Sequence, residues 1–221
     1  MSSDFSDRPR LYGRSKGRPL RAQQQGLMDE FFPKIQLQAD SDFSKFDELW
    51  IEIGFGGADH LIDLARKNPK IAIIGAEPFL NGVAKAVAGA HEFGLTNLFL
   101  YHGDARDVLD QLPEKALSRI YILFPDPWPK TRHNKRRLIN EVFLTDLVRV
   151  LKDQGQLFFA SDIIDYVDWT LTRLKSNGHF KFDPPAPSSW RTPYKGWPGT
   201  RYEAKAFKAD SPCHYLTFEK A

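Results

Sequence analysis

The chain has 221 residues, of which 42% are hydrophobic and 27% charged, and its formal net charge is only +3. This length suits one domain with a full core and is short for two. Cys213 is the only cysteine, and no run is long and apolar enough to cross a bilayer or act as a signal peptide, so the sequence disfavours a disulfide framework, a cysteine metal site and a membrane protein. We therefore expect a soluble cytoplasmic protein.

Residues 1–45 show no sustained periodicity, and residues 8–21 contain six basic residues and no acidic one. Such a glycine- and proline-containing segment buries too little apolar surface to fold alone. We predict a basic N-terminal arm over residues 1–45, partly disordered, and a single domain over residues 46–221. A second basic run, residues 130–137, has five cations and no acid. Two such patches on a nearly neutral chain favour a polyanionic partner over ordinary solvated charge.

From residue 49 the pattern alternates between short apolar runs and amphipathic stretches. Repeated strand–helix units of this kind imply an α/β fold with a mostly parallel twisted sheet and helices on both faces. A long loop rich in proline and aromatic residues is predicted at 183–203, and an antiparallel edge strand at 214–218. The parallel strands are predicted at 49–53, 70–77, 97–101, 118–124 and 156–160.

The first strand–helix turn contains Glu52, Gly54, Gly56 and Gly57, and glycines at such a turn allow a ligand to approach the backbone closely. A dinucleotide-binding fold would place a third glycine at position 59, where this chain has Asp59. A carboxylate there would repel a pyrophosphate, which weakens a nicotinamide oxidoreductase and favours S-adenosylmethionine. We predict that Gly54 contacts this cofactor and that Glu52 either organises the turn or faces the cofactor's cationic end.

Acidic residues follow three successive strands, at Glu77, Asp104 and Asp126. In an open parallel sheet, ligands bind at the carboxyl ends of the strands. Glu77 is placed to accept hydrogen bonds from ribose hydroxyls, and Asp104, with the backbone of Ala105, can hold an adenine amino group. Each acid alone could be an ordinary solvated residue, but the ordered set favours a nucleoside cofactor.

The fourth strand leads into Pro125, Asp126, Pro127 and Trp128, directly before the basic run. The two prolines restrict the backbone on both sides of Asp126, and Trp128 could stack on a base. Spacing alone leaves two plainer interpretations open, in which Asp126 is a turn residue and Trp128 packs in the core.

This ordered set of residues resembles the class I (Rossmann-like) methyltransferases. Residues 124–137, Phe-Pro-Asp-Pro-Trp-Pro-Lys-Thr-Arg-His-Asn-Lys-Arg-Arg, resemble the signature of the bacterial tRNA (guanine-N7-)-methyltransferase family, known as TrmB. Two departures from the family pattern are Pro129, where histidine is frequent, and Arg201-Tyr202, where Lys-Phe is commoner. Further matching blocks occur in the family's order at residues 51–56, 75–77, 103–105, 161–162 and 200–203.

The resemblance implies methyl transfer from S-adenosylmethionine to N7 of a guanine at position 46, in the variable loop of tRNA. N7 carries a lone pair and no proton, so the reaction needs no base. Asp126 is then the catalytic candidate, as a group that orients the guanine, balances the charge it gains and lies beside the cofactor. We expect no metal, because no metal-binding set of residues accompanies the site, and monomer and homodimer both stay open.

The same resemblance assigns two further sets of residues. Substrate binding is expected of Lys130, Asp162, Thr200, Arg201, Tyr202 and Glu203. RNA binding is expected of Arg132, His133, Asn134, Lys135, Arg136 and Arg137.

Structural alternatives stay open for several of these residues. Asp162 could cap the helix that we predict from residue 163, and Thr200 and Glu203 have the spacing of a capping box. Two other functions also remain: a methyltransferase for exocyclic amines, which carries a related Asn/Asp-Pro-Pro-Tyr motif, and an RNA-binding module without catalysis.

Overall fold

The computed structural model describes residues 12, 13, 15, 17–186 and 188–221. Most of the first basic patch, including residues 8–11, 14 and 16, and Pro187 of the predicted loop therefore lie outside the described residues. The described chain forms one seven-stranded sheet in the order β3-β2-β1-β4-β5-β7-β6. The strands are β1 (Glu48–Ile53), β2 (Ile71–Glu77), β3 (Leu98–His102), β4 (Leu117–Leu123), β5 (Leu151–Ser161), β6 (Phe180–Lys181) and β7 (His214–Lys220).

Helices connect the strands, and short 3-10 helices cover Thr131–Arg136 and Ser189–Arg191. The α-helices are α1 (Ala22–Glu30), α2 (Phe32–Ile35), α3 (Asp59–Lys67), α4 (Leu80–Glu92), α5 (Ala105–Gln111), α6 (Glu141–Val150), α7 (Ile164–Asn177) and α8 (Arg201–Lys208).

Strands β1 to β5 are parallel, and the strand order reverses between β1 and β4. This reversal leaves a crevice at the carboxyl ends of the two strands, because the helices that follow them pass to opposite faces. The predicted antiparallel strand is confirmed as β7, and the two-residue β6 pairs outside it at the edge. The predicted α/β class with a mostly parallel sheet is therefore confirmed.

Two apolar layers cover the sheet. One face packs against α5, α6 and α7, and the other against α3 and α4. On the second face, Tyr194 and Trp197 of the proline-rich loop (residues 183–200) extend the cover. Tyr194 contacts Tyr121 of β4 and Phe158 of β5, whose rings stack at a centroid distance of 4.7 Å.

Three helices were not predicted from the sequence. Two of them, α1 and α2, fall within the predicted arm, and α8 begins within the predicted long loop. No residue of α1 is buried, so it has no apolar face that periodicity could reveal. Leu37 beyond α2 donates its N–H to the carbonyl of Leu100 in β3 at 2.8 Å, which ties this segment to the sheet. The domain boundary near residue 45 stays a prediction.

Gly82 lies at the start of α4, where the helix meets the first strand–helix turn. A Cβ at this position would lie 2.4 Å from the carbonyl oxygen of Gly56. We expect Gly82→Ala to lower the free energy of unfolding by about 1–3 kcal/mol, since a backbone atom cannot rotate away from the added carbon. Urea denaturation measures this change.

Gly26→Ala in α1 is the matched control, because a Cβ there meets nothing within 4 Å. This substitution should raise the free energy of unfolding by about 0.5–1 kcal/mol, as expected for alanine in a helix. Equal effects of the two substitutions would contradict the close approach of α4 to the turn.

Candidate active site

A cleft of about 950 Å³ opens at the carboxyl ends of the parallel strands. The turn after each of the first four strands contributes to its wall, with Gly54 after β1, Glu77 at the end of β2, Asp104 and Ala105 after β3, and Asp126 after β4. The structure therefore brings together residues that the sequence placed at separate strand ends.

Glu77 lies in the cleft wall, and its two carboxylate oxygens bind backbone N–H groups of neighbouring turns. Gly56 donates its N–H to Oε2 at 2.7 Å, and Phe79 donates its N–H to Oε1 at 2.9 Å. Burial raises the pKa of Glu77 above its ordinary value, although these two backbone bonds oppose the shift. Each oxygen accepts one of these bonds and has a second lone pair available for a ligand.

The first turn owes its shape to glycines. Gly54 has a φ of 73° and Gly56 a φ of 51°, which are left-handed values that glycine adopts without strain. A Cβ at Gly54 would meet nothing within 4 Å, whereas one at Gly56 would lie 3.1 Å from the ring of Tyr202. The turn thus presents bare backbone to the cleft, and Tyr202 lies against it.

Glu52 is not part of the cleft wall. Its carboxylate is buried and contacts Nδ1 of His60 at 2.7 Å, and Nε2 of His60 contacts the hydroxyl of Tyr194 at 2.5 Å. This placement does not support a direct contact between Glu52 and a cofactor. It favours the alternative in which Glu52 organises the surrounding structure, and it ties the proline-rich loop to α3.

Asp104 is already engaged within the protein. It caps α5 by accepting the N–H of Arg106 at 3.0 Å, and both carboxylate oxygens accept from the Arg106 guanidinium. A ligand amino group would have to displace Arg106 to reach this carboxylate. The backbone of Ala105 needs no such exchange.

Asp126 lies open to the cleft on the segment that follows β4. Phe124, at the start of this segment, has a φ of 51° and Trp128 a φ of 45°, so the backbone turns sharply on both sides of the carboxylate. Partial loss of water around the side chain raises the pKa of Asp126 above its ordinary value. Asp126 therefore lies on a tightly turned segment, and its side chain lines the cleft.

Trp128 lies on the rim of the cleft, so the alternative in which it packs in the core is wrong. The guanidinium of Arg136 contacts the ring faces of both Trp128, at 4.9 Å, and Tyr12, at 4.7 Å. The two rings meet edge to face at a centroid distance of 6.0 Å. The predicted arm thus reaches the site, where Tyr12, Gly13 and Arg18 line the cleft.

Arg137 differs from the other cations of the basic run because it is buried. Only 1% of this residue is exposed, and its Nε donates to the carbonyl of Pro127 at 2.9 Å. Its guanidinium also pairs with the carboxylate of Asp165 and packs on the rings of Tyr166 and Trp169. This burial disfavours a phosphate contact by Arg137, although the residue borders the cleft, and its role in RNA binding stays a prediction. The residue joins the segment carrying Asp126 to the start of α7.

The rest of the basic run is accessible. Lys130, Arg132 and Lys135 are exposed, and the 3-10 helix turns Lys135 and Arg136 into the cleft wall. His133 and Asn134 lie on the same helix outside that wall. Desolvation and neighbouring cations lower the pKa of His133, which disfavours a charged imidazole here.

The capping-box alternative for residues 200–203 is confirmed. Glu203 donates its N–H to Thr200 Oγ1 at 3.0 Å, and Thr200 donates its N–H to Glu203 Oε2 at 3.2 Å. The buried Glu203 carboxylate also accepts from Trp197 Nε1 at 2.8 Å and from the hydroxyl of Tyr215. Thr200 and Glu203 lie outside the cleft wall, whereas Arg201 and Tyr202 belong to it.

Asp162 follows β5, but it does not cap the next helix. The N-cap of α7 is Ile163, so the capping alternative for Asp162 is wrong. The carbonyl of Asp162 accepts from the hydroxyl of Ser211 at 3.1 Å, just beyond α8. Asp162 also lies outside the cleft wall, so its predicted substrate contact stays a prediction.

Sequence reasoning missed several cations of the cleft wall, namely Arg18, Lys85, Lys205 and Lys208. The last two follow Arg201 at helical spacing, so a helix predicted after Thr200 would have placed all three cations on one face.

Within the described ranges, no helix is long and apolar enough to span a membrane. The described residues also contain no group of three or more side chains suited to holding a metal ion.

The fold and the ordered site at the strand ends define a class I methyltransferase. A family model described as "Putative methyltransferase" matches residues 47–216. A solved antibiotic-related methyltransferase is 18% identical, with a TM-score of 0.55 over 85% of this chain and 95% of that chain. The 16S rRNA methyltransferase KamB is 13% identical, with a TM-score of 0.52 over 80% and 90%. At these identities the likenesses show the fold alone.

Sequence relatives identify the family. The tRNA (guanine-N(7)-)-methyltransferase of Chelativorans sp. (strain BNC1) is 45% identical over 94% of both chains. That of Agrobacterium fabrum is 43% identical, also over 94% of both chains. This chain belongs to the tRNA (guanine-N(7)-)-methyltransferase family.

The buried position of Arg137 predicts a different effect from that of an exposed cation in the same run. Arg137→Met should lower the free energy of unfolding by about 2 kcal/mol, because it removes charge-assisted hydrogen bonds from the segment that carries Asp126. Chemical denaturation measures this loss, and the variant should also lose methyl transfer.

Arg132→Met is the matched control, since Arg132 is exposed and its substitution makes the same change of charge. Its free energy of unfolding should stay within about 0.5 kcal/mol of the wild type. Wild-type stability in the Arg137 variant would refute the role assigned to this residue.

Proposed function

We propose that the protein transfers a methyl group from S-adenosylmethionine to N7 of guanine 46 in tRNA, forming 7-methylguanosine. One observation carries the proposal. Asp126 lines a cleft whose wall also holds Glu77 and, from the basic run, Lys135 and Arg136. A carboxylate beside the expected reaction centre, a second carboxylate suited to ribose hydroxyls and cations suited to phosphates thus lie at one site in a chain of this family.

The residues present fit the proposed cofactor. Glu77 keeps a lone pair on each oxygen, which suits a pair of ribose hydroxyls, and the first turn offers backbone without side chains. Ala105 offers its backbone to an adenine, with Asp104 available once Arg106 moves. When bound, S-adenosylmethionine would supply an electrophilic methyl group.

Guanine N7 is a lone-pair acceptor without a proton, so the protein has no proton to remove before transfer. The product ring carries a positive charge, and a carboxylate close by stabilises that charge as it develops. Asp126 is suited to this role because water is partly withdrawn from it, which strengthens its electrostatic effect. It can also accept from the guanine N1–H and amino group, which would fix the orientation of the base.

The exposed cations of the basic run suit the tRNA backbone. Lys130, Arg132 and Lys135 have no carboxylate partner within the described ranges. Arg136 is braced between Trp128 and Tyr12, so it is already ordered for a phosphate contact. Trp128 on the rim offers a ring on which a base can stack, which is worth roughly 1–3 kcal/mol.

The direct test incubates the protein with methyl-labelled S-adenosylmethionine and unmodified tRNA, and then identifies labelled nucleosides by mass spectrometry. We expect label in 7-methylguanosine and none in a tRNA in which guanine 46 is replaced by adenine. Label in an exocyclic amine, or no label with folded protein, would refute the proposal.

Asp126→Asn tests the proposed role of the carboxylate. The substitution removes the negative charge but keeps the shape, so kcat should fall about 100- to 1,000-fold while the Kd for tRNA changes little. Single-turnover methylation and filter binding measure the two quantities. Asp40→Asn, in an exposed turn outside the cleft wall, should leave both unchanged. An active Asp126 variant would show that the charge is dispensable.

The pKa shifts predict the acid side of the pH profile. Burial raises the pKa of Glu77, and desolvation raises that of Asp126, so both carboxylates take up protons at a higher pH than ordinary ones. As the pH is lowered, kcat/KM should therefore fall before the usual carboxyl range near about 4 is reached. A pH–rate profile at constant ionic strength measures the limb. A profile that stays flat down to that range would contradict the prediction.

A further inference from the structure

Helix α8 carries a stripe of cations along the cleft. Arg201, Lys205 and Lys208 are exposed and line the cleft, with Ala204 between them on the same side. This spacing of four and three residues aligns side chains on one helix face. The opposite face of α8 buries Glu203 and Ala206. We call the three cations the α8 stripe.

The described part of the chain does not neutralise the charge of the α8 stripe. Among the described residues, no carboxylate lies within ion-pair distance of Arg201, Lys205 or Lys208. The only acid within α8 is Glu203, which is buried and bound to Trp197 and Tyr215. By contrast, Lys67, Lys115 and Lys220 each have an aspartate partner.

The stripe stands on a rigid support. The N-terminal end of α8 is fixed by the capping box and by the bonds of Glu203. Its C-terminal end is fixed where Ser211 donates its N–H to Ala206 at 3.0 Å and its hydroxyl to the carbonyl of Asp162 at 3.1 Å. A helix held at both ends presents its cations with little ordering cost on binding.

The length of the α8 stripe along the helix indicates which kind of anion can contact all three cations. From Arg201 to Lys208 the helix axis rises by about 10 Å, at about 1.5 Å per residue. One carboxylate, such as the amino acid end of a methyl donor, cannot meet all three cations. Consecutive phosphates of a nucleic acid backbone can, and the small side chain of Ala204 leaves room between the cations for close approach.

We propose that the α8 stripe, which continues from the expected substrate residue Arg201 to Lys205 and Lys208, is a second tRNA-binding surface that holds the RNA backbone on a different element of the rim from the basic run. This inference rests on the proposed function, since it assigns a further binding surface for the same substrate. The guanine then lies in a cleft whose rim binds the RNA backbone at two places, the basic run and the α8 stripe. Cations of this kind add affinity that falls with salt.

The test variant is Lys205→Gln with Lys208→Gln. The matched control is Lys152→Gln with Lys175→Gln, which removes the same charge from exposed positions at the start of β5 and the end of α7, away from the cleft. Filter binding gives the Kd for tRNA across a salt series. Steady-state kinetics gives kcat and the KM for each substrate.

For the α8 variant we expect the Kd and KM for tRNA to rise roughly ten-fold. The slope of log affinity against log salt should fall by about two, because two lysines no longer neutralise a phosphate each. The kcat at saturating tRNA and the KM for S-adenosylmethionine should stay close to wild type. Lys205→Arg with Lys208→Arg should restore tRNA affinity, and the control pair should match the wild type.

Two results would overturn the inference. An unchanged Kd and salt slope would show that the α8 stripe binds no phosphate. A higher KM for S-adenosylmethionine with unchanged tRNA affinity would assign the stripe to the cofactor. In both cases the wild type still methylates tRNA, whereas a wild type without that activity would refute the proposed function itself.

Discussion

The candidate site depends on one buried guanidinium. A charged group inside a protein is costly unless hydrogen bonds and an opposite charge compensate it. Arg137 finds both in Pro127 and Asp165, and aromatic rings enclose the remainder. This interaction ties the segment after β4 to α7, and it therefore helps to fix the position of Asp126.

Buried acids have a similar role on the other side of the sheet. Through His60, Glu52 reaches Tyr194, and Glu203 binds Trp197 and Tyr215 directly. These interactions hold the proline-rich loop against the sheet without regular secondary structure along most of its length. Because the loop is fixed, the helix that follows it reaches the cleft in a defined position.

The sequence was sufficient for the parallel strands and for the acids at their ends, because apolar runs and glycine turns are local signals. It did not show which cation of the basic run was buried, since that depends on Tyr166 and Trp169, which are distant in the chain. It missed α1 because no residue of that helix is fully buried, and α8 because a capping signal followed a proline-rich segment. The role of Glu52 depended on His60, whose partnership no spacing rule indicates.

The pairing of Asp104 with Arg106 has an energetic consequence for turnover. The acid that would receive the adenine amino group is already satisfied by an internal donor, so ligand binding there exchanges one hydrogen bond for another. An exchange contributes far less affinity than a new hydrogen bond. Breaking this contact would cost little free energy for either the reactant or the product nucleoside, because Arg106 would return to Asp104. If Asp104 receives the adenine as proposed, the pair would limit how tightly the enzyme can retain its own product.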